Sequence, residues 1–182
     1  MVNNVYFLSP YSYTLEIGQA YNHYISLLPP GAWICITDQD TLRPPGFAER
    51  IRELILDHGN EKRLIGCRTN RVGIPGPYCV EGMFMEENIS AHLELAKTLW
   101  ERHKTDLVKA EVVPGYCMVF NKALWELWGG FPPKTQQFDI WASNRSETWI
   151  ASGIYIFHLY RWLHPAPRGV VKHLQIPGYY LN

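Results

Sequence analysis

"GAWICITDQDTLRPP", residues 31–45, runs from an apolar stretch into an acidic turn. Trp33, Ile34, Cys35 and Ile36 suit a buried strand, and they lead directly into Thr37, Asp38, Gln39 and Asp40. Pro44 and Pro45 close the segment. Two carboxylates one residue apart repel each other, and burying either is costly, so positive charge is expected beside them. Side chains alternate along an extended segment, which puts Asp38 and Asp40 on one side. Such a pair suits a hard divalent cation, Mg2+ or Mn2+, that keeps waters and shares phosphate oxygens. The plainer alternative is a solvated turn in which one of the two caps the next helix. A calcium loop of the EF-hand type is excluded. With Asp38 first in that loop, Arg43 takes the place of its obligatory glycine, and the preceding segment is strand-like rather than helical.

On the N-terminal side, residues 5–8 form a short apolar strand ended by Ser9-Pro10. Ile17, Ala20, Tyr21, Tyr24, Ile25 and Leu28 then recur at helical spacing, and Pro29-Pro30-Gly31 stops the helix. On the C-terminal side, Phe47, Ile51, Leu54 and Ile55 mark a second one-faced helix, and "RLIGC" (63–67) a third strand. This alternation predicts an α/β domain whose central sheet is mostly parallel and flanked by helices. In such sheets ligands bind beyond the carboxyl ends of the strands, which is where Asp38 and Asp40 stand.

Residues 69–87 read as a long loop, followed by a helix over Ile89, Leu93, Ala96, Leu99 and Trp100. "GYCMVF" (115–120) reads as a strand, "KALWELWGGF" (122–131) as a short helix with a glycine stop, and residues 140–148 as helical. "IYIFHLY" (154–160) is the last strand, and residues 163–182 form an irregular tail of one domain spanning residues 1–182.

The chain has 182 residues, 47% of them hydrophobic and 19% charged, as expected of a packed globule. Lys plus Arg and Asp plus Glu both number 17, with no basic run, so nucleic acid is not an expected partner. None of the four cysteines forms a CxxC pair, which speaks against a zinc knuckle or thioredoxin-like redox pair. The N-terminus lacks the features of a signal peptide, and no run approaches membrane-spanning length. These features predict a reduced, cytoplasmic protein without a transmembrane segment.

The order "VYFLSP … IGQAYNHYI … WICITDQDT … GYCMVFNKALWELWGGF … FDIWASNR … GIYIFHLYRW" resembles glycosyltransferases of the GT-A fold, family 2-like, most of all their short phage and bacterial members. The resemblance spans residues 5–162. It implies a nucleotide-sugar donor, UDP-sugar foremost, whose diphosphate is bridged to the protein by Mn2+ or Mg2+, and a glycan or other hydroxyl acceptor. Carried over, Asp38 and Asp40 match the two acids of the family's DxD, near the donor ribose and on the metal. His158 matches a late histidine that reaches the metal or diphosphate. Asp139 matches the general base of inverting members.

Donor contacts are expected from Ser9 and Tyr11 after the first strand, Asn22 in the first helix and Gln39 within the DxD. Arg71, Gly115 and Arg161 complete that set. Read from the residues alone, His158 better suits a satisfied core or surface histidine, while Asp139 also suits a helix N-cap, and Arg71 and Arg161 solvated side chains. The chain departs from the family in two ways. Residues 10–31 hold a single helix where relatives carry further base-binding strands, so the fold is truncated there. Phe138 also stands where the family places a glutamate before the aspartate. A non-catalytic nucleotide-sugar or glycan-binding module on the same fold is the alternative.

Overall fold

A computed structural model of the chain describes residues 4–9, 16–72, 76–134 and 137–159. The described elements, in order, are β1 (Val5–Leu8), α1 (Ile17–Ser26), β2 (Trp33–Thr37), β3 (Thr41–Leu42), α2 (Phe47–His58), β4 (Arg63–Thr69), α3 (Ile89–His103), β5 (Leu107–Lys109), β6 (Cys117–Asn121), α4 (Lys122–Trp128), α5 (Phe138–Ser143) and β7 (Glu147–His158). Among the described residues no helix is long and apolar enough to cross a membrane.

The protein is a mixed α/β domain with an open sheet in the order β1-β2-β6-β4-β7-β3, β5 lying beside β7. The expectation of a mostly parallel sheet needs correction. Among the described strands, β1–β2 and β4–β7 pair in parallel, whereas β2–β6, β4–β6, β3–β7 and β5–β7 are antiparallel. The strand–helix–strand pattern does fix direction, since β1, β2, β4 and β7 run the same way. It cannot show that β6 returns from far along the chain to wedge between β2 and β4.

β2 is buried along its whole length because both faces of the sheet are covered. Ile34 and Ile36 pack with Tyr21 and Ile25 of α1, Leu124 of α4 and Phe138 of α5. Trp33 and Cys35 pack on the other face with Phe47, Ile51 and Leu54 of α2. Ala96 and Leu99 of α3 cover Tyr155 and Phe157 at the far half of β7.

β7 is longer than the sequence suggests. Residues 147–148, expected to be helical, begin this strand, and α5 stops at Ser143. A three-residue excess lies between the pairs Cys67↔Ala151 and Arg68↔Tyr155. There Gly153 meets the helix end of α3 so closely that a Cβ would lie 2.1 Å from the Lys104 carbonyl oxygen. The offset lets one strand serve two neighbours, with β5 beside its first half and the two-residue β3 beside its last two residues.

Candidate metal centre

The acidic turn and His158 meet through the shortest strand of the sheet. β3 pairs Thr41 with His158, and the Leu159 amide donates to the Asp40 carbonyl at 2.8 Å. Asp38 is tied back by its amide to the Tyr116 carbonyl, 3.1 Å, while its own carbonyl accepts the Thr41 hydroxyl at 2.7 Å. Asp38, Asp40 and His158 then each offer one ligand atom, all within 4.8 Å of one another. Asp40 and His158 are buried and Asp38 is half-buried.

The donor set fits a divalent cation. His158 Nδ1 lies 2.9 Å from the Arg71 carbonyl, which can only accept, so Nδ1 carries a hydrogen. In the neutral ring Nε2 is then a bare acceptor, and it faces Asp40 Oδ2 at 3.3 Å. An acceptor against a carboxylate needs a proton or a metal ion between them, and the second carboxylate of Asp38 adds further negative charge. Two carboxylates and one imidazole suit Mn2+ well and Mg2+ less well, because magnesium prefers oxygen throughout.

Around these three side chains the packing is polar but ordered. The Tyr116 ring stacks on His158 with centroids 5.4 Å apart, and its hydroxyl donates to the Cys67 carbonyl. The buried Asn70 accepts the His158 amide on Oδ1 at 2.9 Å.

Asp139 sits in the first turn of α5. Its Oδ2 accepts the Gly115 amide at 3.1 Å and its Oδ1 the Ile140 amide at 2.9 Å. A Cβ on Gly115 would come 3.1 Å from the Phe138 ring and 3.5 Å from Asp139 Cβ, so glycine lets α5 approach. Burial first, then the Asp38 and Asp139 carboxylates, push the Tyr21 phenol well above its ordinary range. Both acids therefore act on one buried hydroxyl on the α1 side of the sheet. Tyr21 went unrecognised in the sequence because its helical spacing marks it only as core.

The remaining expected donor contacts divide. Ser9 ends β1 with its hydroxyl 3.1 Å from Thr37 Oγ1, and Arg43 donates to both hydroxyls. Gln39 is exposed between the two acids. Asn22 is engaged inside the fold. Its Nδ2 donates to the Phe131 carbonyl at 2.7 Å, and its Oδ1 accepts from Phe131 N and Trp125 Nε1. The Arg71 side chain is wholly buried and donates to the Phe84 carbonyl at 3.1 Å, so what it presents to His158 is its backbone oxygen. Tyr11 and Arg161 lie outside the described residues, as does the tail beyond residue 159.

No protein-family model matches the chain, and no curated protein does.

Proposed function

We propose that the chain is a metal-dependent glycosyltransferase that moves a sugar from a nucleoside diphosphate sugar, UDP-sugar foremost, to a hydroxyl acceptor with inversion. The observation that carries this reading is the convergence of Asp38, Asp40 and His158, one ligand atom each within 4.8 Å, at the carboxyl end of β2. The motif order that resembles the GT-A, family 2-like enzymes supplies the reaction class. These three residues would hold Mn2+ or Mg2+, with the imidazole favouring Mn2+. When bound, the ion would offset the negative charge that builds on the departing diphosphate.

The protein's own part is positioning and proton transfer. Asp139 takes the acceptor's hydroxyl proton as the acceptor oxygen bonds to the anomeric carbon and the bond to the phosphate oxygen breaks. The amides of Gly115 and Ile140 fix the carboxylate for that task. A positioned base contributes about 10²–10⁴-fold. Ser9, Thr37 and Arg43 form a polar group at the ends of β1 and β2 that suits a donor phosphate or ribose.

One observation favours the second reading, a non-catalytic module that binds a nucleotide sugar. Both Asp139 oxygens are already engaged by backbone amides, as in a purely structural helix start. The test is donor hydrolysis and transfer in Mn2+, with and without Asp139→Asn, beside a thermal-shift screen of nucleoside diphosphates with and without the metal. Turnover that falls at least 100-fold in the variant, with nucleotide binding kept, supports the enzyme. Nucleotide binding without turnover in the wild type supports the module. Absence of metal-dependent stabilisation by every nucleoside diphosphate removes both.

A further inference from the structure

We propose that Asn70 is the positioning residue of the metal centre, setting which ring nitrogen of His158 faces the two carboxylates. The inference rests on the metal-binding reading above. β4 ends at Thr69, which pairs with Ile156, so the backbone ladder stops short of His158. The Asn70 side chain carries it on, with Oδ1 accepting the His158 amide at 2.9 Å and the Thr69 hydroxyl at 3.2 Å. Asn70 is only 1% exposed, so this amide oxygen is committed to the fold. The next residue then places its carbonyl 2.9 Å from His158 Nδ1. Arg71 holds that backbone in place by donating from Nη1 to Phe84 O, and the Tyr116 ring closes the open face of the imidazole.

Two consecutive residues thus grip His158 at two points, one by side chain and one by carbonyl. The grip keeps hydrogen on Nδ1 and presents Nε2 to Asp40. Partners that orient a ligating histidine are commonly worth about 10–100-fold in metal affinity. Asn70 is the half of the grip that a substitution can remove.

The experiment uses the full chain with 15N-labelled histidine, metal-free, at a pH where the ring is neutral. NMR reads the His158 tautomer, and paramagnetic resonance of free Mn2+ reads affinity. The wild type is expected to carry hydrogen on Nδ1. Asn70→Ala should lose that single tautomer and bind Mn2+ about 10–100-fold more weakly. Asn70→Asp keeps an acceptor oxygen and should restore the tautomer. Asn70→Ser, too short to reach the His158 amide, replaces the alanine variant if that one does not melt cooperatively. Hydrogen on Nε2 in the wild type overturns the proposal, as does an unchanged tautomer in the alanine or serine variant. A wild type that binds no Mn2+ removes the metal reading instead, and the tautomer still decides the role of Asn70.

Discussion

His92 and His158 are both buried imidazoles packed against aromatic rings, and their surroundings differ in one respect. His92, on α3, has Nδ1 2.7 Å from the Tyr155 hydroxyl and Nε2 3.1 Å from the Glu86 carbonyl. Both partners are neutral, and the ring is stacked on Phe157 at 3.8 Å. Burial lowers its pKa, only partly opposed by the Glu86 carbonyl and carboxylate. His158 shares the first half of this pattern, a carbonyl on one nitrogen, but its other nitrogen meets Asp40. An imidazole between neutral partners is complete as it stands. One between a carbonyl and a carboxylate needs a proton or a metal ion on the carboxylate side.

The largest expected effect separates the two directly. His158→Ala should weaken Mn2+ binding by about 10³-fold, more than loss of an outer partner costs. Titration of the variant by paramagnetic resonance checks this, and an affinity within tenfold of the wild type would erase the contrast. His92→Ala should do the reverse. It leaves Tyr155 without its ring partner and opens a cavity, for a loss of roughly 3 kcal/mol in urea unfolding, with Mn2+ affinity within threefold of the wild type.

A finer cut is Tyr155→Phe, which removes one hydroxyl from His92 and nothing from His158. It should cost about 1.5 kcal/mol by the same measurement. The smallest effect is in pH. A histidine whose folded-state pKa is depressed binds its proton more readily once unfolded. Stability should therefore be full above the ordinary histidine pKa of about 6.5 and fall as the pH drops below it, until the lowered folded-state pKa is passed. The loss should vanish in His92→Gln. Urea midpoints measured from about pH 5 to about pH 8, on both sides of the ordinary histidine pKa, give the slope.

The two histidines also mark how far the amino-acid sequence could be read. α1 and α2 were legible because their apolar spacing is regular and Pro or Gly follows them, and β2 because its apolar run is unbroken. Asp38 and Asp40 stood out because a carboxylate pair is out of place at the tip of an apolar strand. His158 carried no such signal by itself and was singled out only through the resemblance in motif order. What joins it to Asp40 is β3, two residues long, and no periodicity can be seen in two residues. The burial of Arg71, expected at the donor, was hidden for a similar reason. An arginine after a strand looks solvated, and the Phe84 carbonyl that takes it inside belongs to the following loop. Asn22 is expected at the donor only through the resemblance, and the turn it holds, at Phe131, is more than a hundred residues away. The early half of β7 was missed because "ETWIASG" does not alternate cleanly, since the strand there is buried from Ile150 onward.

The wedge formed by β6 has a further consequence, for folding. The ladders β1–β2 and β4–β7 have no contact with each other through the sheet until residues 117–121 lie between them. The middle of the layer is thus supplied by chain that leaves the ribosome after most of its surroundings. Such non-local pairing makes folding slow, because loop closure precedes its reward. A nascent chain that has not yet reached β6 would expose the flanks of β2 and β4, both rich in apolar side chains, as open strand edges.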